Sequence, residues 1–525
     1  MGERSVERLA SSFLEGYLRY LLAFIAVFAI GCAGNPPPNP HPQPPPLQAM
    51  GVEVHDFVSP DVMVEGVRVE CNGILKGFTD EAGYTEFEVP TNTQQDCILT
   101  KDGYEDNTAS LFATYEDAIL RTWIRKMVPP APVHPNPLVG RLTLVTDGFR
   151  DDTGYVNPLY AHCGDCFSRY TRDPEFVQRQ LDLVAQAGYH GIRVWSTLGG
   201  SYWAGREVGP SVTPDYWGQL RKFFEDLKAR NLRAVFSQGD IGQLGTSRQA
   251  FMEQVAALDR ELGVIDWLDC GNEAWQTGEP SASRLAECVS YYRDAGGRAL
   301  LTLTSPIGEE KDGLDRYSIP PADTYDVHGY RGGHFWDKIR HIFSIPYEIR
   351  PNKRFGIQSE PFGNGERVSV TSNKNELNGE AMALGGTMSL LSRQTWVWFS
   401  GEGVILDKGL EVEAGFWETP KAVALIPKDA ITYDRLHHSG TSQADIRTFV
   451  VPNDSVRIDG RTDSDGRTVQ IIYGPAGTYN IRAARNFEGR LCHPETAECS
   501  DLSVTAGSSF IVSFDRGRIL IGQSR

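Results

Sequence analysis

Positive charge is the scarcer sign in this chain, and nowhere does it gather. Lys and Arg number 51 against 68 Asp and Glu, a formal net charge of −17. With no Lys/Arg-rich run either, the electrostatic footprint of a nucleic-acid partner is missing. The apolar run near the amino end, Tyr20–Gly31, falls short of the about 20 residues that span a bilayer comfortably. Cysteine is sparse, at 9 residues. The Cys163-Gly164-Asp165-Cys166 pair has no second Cys pair or His pair of suitable spacing, so a complete zinc-ligand pattern is absent. Aromatic residues are plentiful: 10 Trp, 20 Tyr and 24 Phe in 525 residues, within a 40% hydrophobic composition. That supply fills more than one core, and the length predicts more than one domain.

Arg4, Arg8 and Arg19 precede the apolar run, the layout of a secretory signal. Its last residues, Ala29-Ile30-Gly31-Cys32, resemble the lipobox at which bacterial lipoproteins are cleaved and acylated on the Cys. The resemblance implies an exported chain anchored to a membrane through a lipid on Cys32; an ordinary signal cleaved nearby, or an uncleaved anchor, are the rival readings. Each takes the chain out of the cytoplasm. Apart from Cys32 the cysteines are even in number, which suits an oxidising compartment. Cys71 with Cys97, Cys163 with Cys166, and Cys492 with Cys499 are the candidate disulfides. The Cys163/Cys166 pair also admits a redox-active role or half a zinc site, and Cys270 and Cys288 read as buried thiols.

Composition divides the chain. After a signal and lipobox over 1–32, residues 33–50 hold PPPNPHPQPPP, which favours extended polyproline II and builds no core. From 51 to 127 short alternating runs are punctuated by turn chemistry such as Asp80-Glu81-Ala82-Gly83, predicting a β-sandwich. That stretch, with its later Lys101-Asp102-Gly103-Tyr104, resembles the small transthyretin-like or carboxypeptidase-regulatory-like sandwich, which implies a spacer or adhesion module. Residues 128–137 are a second Pro-rich linker. Over 138–438 apolar runs alternate with helical patterns, the texture of repeated βα units, and eight such units predict a (β/α)8 barrel. From 439 to 525 the pattern returns to short strands and Gly-rich turns, predicting a carboxy-terminal β-sandwich.

In a (β/α)8 barrel the chemistry sits at the C-terminal ends of the strands. The informative polar residues fall there: Arg193 after strand two, Asn272 and Glu273 after strand four, His328 and Tyr330 after strand six, and Glu360 after strand seven. Two carboxylates facing each other across a barrel mouth suit glycosidic cleavage. One stays protonated to donate to the leaving oxygen, while the other is ionised and attacks the sugar carbon. Asn272 is suited to a sugar hydroxyl beside that centre, Arg193 and Tyr330 to holding the ionised Glu360, and His328 to contacting substrate or tuning Glu273. Trp195, Tyr202, Trp203, Trp275, Trp336 and Trp398 fall on or near the catalytic-end loops, where indole faces stack on sugar rings.

Gly271-Asn272-Glu273-Ala274-Trp275 and Gln358-Ser359-Glu360-Pro361 look like the signatures of clan A glycoside hydrolases, the cellulase, mannanase and glucanase barrels. Asp326-Val327-His328-Gly329-Tyr330 looks like their strand-six His-x-Tyr and Ile192-Arg193-Val194 like their strand-two Arg. The order of the motifs on the right strands carries the resemblance. It implies Glu273 as general acid/base and Glu360 as nucleophile of a retaining, double-displacement hydrolase of β-linked oligo- or polysaccharide, with no metal and no cofactor. Arg193, Asn272, His328, Tyr330, Trp195, Trp275 and Trp398 are then substrate-binding or supporting residues.

Each has a plainer rival: an acid past a strand end for the two Glu, a structural ion pair for Arg193, a satisfied histidine for His328, and core packing for Trp195 and Trp398. Trp123 and Trp267 read as packing. Asp266 and Asp269 are unusual in a buried parallel strand. Two other classes of function compete: a cell-surface protein that binds glycan without cleaving it, and a metal-dependent hydrolase using His162, His328 and Asp240.

Overall fold

The structure is a computed structural model, and it describes residues 47–56, 63–90, 93–101, 104, 107–112, 118–124, 137–272, 281–304, 316–328, 355–360, 378–399, 415–437, 448–451 and 456–525. Cys32, Glu273, Trp275, Tyr330 and Trp336 lie outside them, as do the side chains of Glu360 and Tyr202. These residues divide into two compact units.

The smaller unit carries strands β1 (Leu47–Asp56), β2 (Arg68–Cys71), β3 (Ile74–Phe78), β4 (Tyr84–Pro90), β5 (Gln94–Thr100), β6 (Asn107–Phe112) and β7 (Ala118–Ile124), with β1 and β4, and β2 and β3, antiparallel. They form two sheets, ordered β4-β1-β7 and β3-β2-β5-β6. The first strand begins inside the stretch read as a Pro-rich spacer, because LQAMGVEV already alternates. The turn at Asp80 forms as its chemistry predicts: the Asp80 carboxylate accepts from Ala82 N and Tyr84 N at 2.9 and 3.0 Å, and Gly83 takes a φ of 66°. A disulfide ties Cys71 to Cys97.

The larger unit opens with a meander, β8 (Thr143–Val145), β9 (Gly148–Asp151) and β10 (Gly154–Tyr155), which the sequence pattern did not separate from the barrel. Its apolar residues plug the interior from beneath. Phe149 lies edge-on to Trp267 at 5.5 Å and to Phe355 at 5.6 Å, in one core with Tyr160, Val235, Ile357 and Val397.

The eight barrel strands are β11 (Leu159–His162), β12 (Gly191–Trp195), β13 (Arg233–Ser237), β14 (Ile265–Asp269), β15 (Leu300–Thr302), β16 (Tyr325–His328), β17 (Gly356–Glu360) and β18 (Gln394–Trp398). They form one sheet ordered β15-β14-β13-β12-β11-β18-β17-β16, in which neighbouring strands pair in parallel. Asp323 N and Thr324 N donate to Leu301 O at 2.9 and 3.1 Å, bringing the chain entering β16 against β15 and nearly closing the ring.

Helices α1 (Cys166–Tyr170), α2 (Pro174–Ala187), α3 (Tyr216–Ala229), α4 (Arg248–Leu262), α5 (Ala282–Asp294), α6 (Gly379–Leu391) and α7 (Glu418–Leu425) belong to this unit. Several start where a short polar side chain stands ready to cap: Asp173, Ser247, Ser281 and Asn378 accept from the backbone of the first turn. Helices α2 and α4 stop at glycines in the left-handed region, Gly188 (φ 93°) and Gly263 (φ 68°).

Helix α6 is buried along its whole length. A helix without a polar face must be covered on all sides, and α7 and the carboxy-terminal strands do this. Those strands are β19 (Arg435–His437), β20 (Phe449–Val450), β21 (Arg457–Thr462), β22 (Arg467–Tyr473), β23 (Gly477–Ala483), β24 (Phe487–Cys492), β25 (Cys499–Val504), β26 (Ser509–Phe514) and β27 (Gly517–Ser524). They make two sheets, β19-β21-β22-β27-β24-β25 and β20-β23-β26, around a core of their own. Glu380 of α6 joins the two parts: its buried carboxylate accepts from Arg516 N, Gly517 N and Arg518 Nη1 at 3.0, 2.7 and 2.9 Å. From the other side Arg461 donates to Leu391 O, and to Tyr433 O at 2.9 Å. The fold is thus a (β/α)8 barrel flanked by β-rich domains.

Disulfides also join Cys163 to Cys166, Cys492 to Cys499 and Cys270 to Cys288. The last corrects the expectation of two buried thiols. Cys270 directly follows β14 and Cys288 sits on the face of α5 packed against it, bringing their Cα atoms to 6.2 Å.

Candidate active site

Strand alternation decides what enters the barrel. Along β12 the inward residues are Arg193 and Trp195, which pair in register with Val235 and Ser237 of β13. On β14 they are Trp267 and Asp269, and on β16 Asp326 stands level with the inward Ile357 of β17. The upper interior therefore holds Arg193, Asp269 and Asp326, with His328 one step beyond. All four are buried.

Arg193 occupies the centre of this group. Its Nη2 donates to Asn272 Oδ1, so the amide N–H2 of Asn272 is turned to the other side. The Asp269 carboxylate accepts from Ser237 Oγ at 2.5 Å and from Gly271 N at 3.1 Å. The Asp326 carboxylate accepts from Ser359 N at 3.3 Å. Burial pushes the carboxyl groups of both Asp269 and Asp326 up from the usual carboxylate range, and the Arg193 guanidinium opposes that rise in each. A permanently charged fork between two buried acids is held more firmly than one facing solvent.

The sequence left the role of Asp269 open and gave none to Asp326. The available signal was a carboxylate at an inward position two or three residues before a mouth residue, since a buried charge needs a partner. Asp266 resolves differently. It sits beside a register shift between β13 and β14, low in the barrel, where it accepts from Tyr160 OH at 2.6 Å. Burial raises its carboxyl to about 6.

At the mouth, Trp195 stands between His162 and Trp203, edge-on to each at 5.3 Å, and the Arg193 guanidinium lies 5.6 Å from its ring centre. An open pocket of about 380 Å³ adjoins them, lined by Trp195, Leu198, Trp203, Asp240 and Asn272 among others. His328 ends β16 level with Glu360, the last residue of β17, so these two predicted residues share one end of the barrel with Arg193, Asn272 and Trp195.

Trp398 is a correction. Val397 faces the barrel interior, so alternation turns Trp398 outward, where it is 1% exposed and lies edge-on to Phe416 at 5.1 Å. It belongs to the layer between strands and helices, and the strand-eight aromatic packed at the mouth is Phe399, 4.8 Å from the His162 ring. Trp267, read as packing, packs.

Among the described residues, Glu380, His493 and Glu495 are a group of potential metal ligands that come together, on α6 and the β24–β25 hairpin. Glu380 gives Oε1 to Arg518 and two backbone amides while its Oε2 faces His493 Nε2 at 3.8 Å, and His493 Nδ1 accepts from Glu495 N at 3.2 Å, which leaves the ring proton on Nε2. A ligating imidazole instead donates from its second nitrogen, so these residues do not fit a metal. His162, His328 and Asp240 do not assemble as a ligand group among the described residues.

No family model matches the chain, and no curated protein does. Solved structures do. A glycoside hydrolase superposes with a TM-score of 0.52 at 11% identity, covering 74% of this chain and 98% of its own. A family 5 glycoside hydrolase from Bacteroides vulgatus gives 0.51 at 10% identity, covering 74% and 95%. Similarity of this kind is one of architecture, and the chain shares the fold of these two glycoside hydrolases.

Proposed function

We propose that the protein is an exported retaining glycoside hydrolase that cleaves β-linked polysaccharide, with Glu273 as general acid/base and Glu360 as nucleophile. The observation that carries the reading is positional: Glu273 directly follows Asn272, just beyond the end of β14, and Glu360 ends β17 level with His328. The fold shared with known glycoside hydrolases supports it further.

In the first step the Glu360 carboxylate attacks the anomeric carbon while the Glu273 carboxyl gives its proton to the departing glycosidic oxygen. In the second, Glu273 takes a proton from water, and that water displaces Glu360 from the sugar. Asn272, aimed by Arg193, offers its amide to a hydroxyl of the reacting sugar.

Export and attachment through Cys32 belong to the same proposal, supported by the signal-like amino end and by four disulfides, which suit an oxidising compartment.

Reducing-sugar release from β-glucans, mannans, xylans and arabinans, by wild type and Glu360→Ala side by side, tests the function. Release that the substitution abolishes supports it. Equal release by both overturns the assignment of Glu360, and binding of a glycan without release favours a glycan-binding protein built on the same barrel.

A further inference from the structure

The pocket beside Asn272 is built from the loops after β12 and β13. Trp203 gives it a flat aromatic wall, fixed edge-on by Trp195 and stacked by Arg206, whose guanidinium is 4.8 Å from the ring centre. Arg206 itself is held by Asp165 at 3.4 Å. Asp240 supplies a carboxylate. Its Oδ1 accepts from Gly242 N at 2.7 Å, capping the short helical turn Ile241–Gln243; among the described residues no hydrogen bond to Oδ2 is made. Oδ2 lies directly over Gly199, where an added Cβ would come to 2.3 Å, so the loop leaves bare backbone beneath the acid. The Trp195 indole N–H is a buried donor at the same wall, and among the described residues it meets no hydrogen-bond partner. A carboxylate beside an indole face is the arrangement that recognises a sugar ring, since the ring's C–H face stacks while a pair of its hydroxyls donates to the acid.

We propose that Asp240, Trp203 and Trp195 form a subsite for an uncharged sugar unit next to the reacting one, and that Asp240 makes the cleft selective against acidic polysaccharides. The inference rests on the reading that the barrel mouth takes carbohydrate. The carboxylate accepts two hydroxyl protons from a neutral sugar but repels the carboxylate of a uronic acid at the same place. The net charge of −17 acts in the same direction over longer range.

The test is calorimetric binding to the full chain carrying Glu360→Ala, with cellohexaose, mannohexaose, xylohexaose and hexagalacturonate as probes. One or more neutral hexasaccharides should bind and hexagalacturonate should not. Adding Asp240→Ala should weaken the neutral binder by about 10- to 100-fold, the range for charge-assisted hydrogen bonds lost from one site. Asp240→Asn keeps the cap and hence the local fold, and should weaken binding by a smaller factor. An unchanged Kd in both variants, hexagalacturonate binding as tight as that of the neutral probes, or no binding of any probe would each overturn the subsite. Turnover is measured separately with Glu360 intact. Binding without turnover sinks the hydrolase and leaves the subsite standing, whereas turnover indifferent to Asp240 does the reverse.

Discussion

The guanidinium of Arg193 on β12 donates through Nη2 to the side-chain oxygen of Asn272 beyond β14, so one fully buried cation orients the amide that immediately precedes Glu273. Arg193→Lys keeps the charge and loses the planar fork. We expect it to fold, with a turnover number on the released glycan lower by about 10- to 100-fold and a smaller change in KM, because a lysine cannot hold the amide and face both acids at once. Unchanged turnover would show that Asn272 needs no such support. Arg193→Ala strands Asp269 and Asp326 as unpaired buried acids and should cost about 3–5 kcal/mol of stability in a urea titration.

Asp266 predicts a pH dependence. Its carboxyl titrates near 3.9 in an unfolded chain but at about 6 when folded, because burial disfavours its charge. Between those values the folded state holds the extra proton, so the contribution of Asp266 is most favourable below about pH 4 and declines as pH rises through 6. Asp266→Asn cannot ionise and still faces the Tyr160 hydroxyl. Its stability relative to wild type should therefore climb by on the order of 2 kcal/mol between pH 4 and 7. A difference that stays flat across that range refutes the account.

The Cys270–Cys288 bridge joins residues 18 apart in sequence. Cys288→Ala should lower stability by about 3 kcal/mol, the loop-closure value for a ring of this size. Repeating the denaturation with dithiothreitol, which also opens the bridge in the wild type, should bring the two proteins together.

Glu380→Ala removes an acceptor from two backbone amides and from Arg518. A loss of about 3–5 kcal/mol is expected, since the arginine is left beside the same turn without its counter-charge. Glu380→Gln should recover part of it by accepting one amide. Thermal melts of both variants measure this.

Much of the fold was legible in the sequence, and for identifiable reasons. The 3.6-residue apolar repeat of α2, α3 and α4, with the Asp173 and Ser247 caps and the closing Gly188 and Gly263, marks those helices. The mostly apolar runs of β12 and β13 mark strands buried on both faces, whereas β14 departs from that pattern at Asp266 and Asp269. The meander β8–β10 was not legible, because strands this short carry too few alternations to stand out.

The site was legible where a motif spans neighbouring positions, as at Asn272 or His328. It was not where partners meet only in space: nothing along the chain ties Arg193 to Asp269 and Asp326. Trp398 misled because its position at a strand end says nothing about which way that strand turns it. Glu273, Trp275 and Tyr330 fall outside the described residues.

The burial of α6 bears on how such a protein can be shortened or recombined. A helix with no polar face, shared between a barrel and a sandwich, makes the barrel a dependent of its neighbour. Exchange of the carboxy-terminal part between related chains would succeed only if the incoming strands brought their own counterparts of Arg461 and the Arg516–Arg518 turn. Trimming the chain at the end of the barrel would leave a greasy stripe open to water, and the expected product is an aggregate.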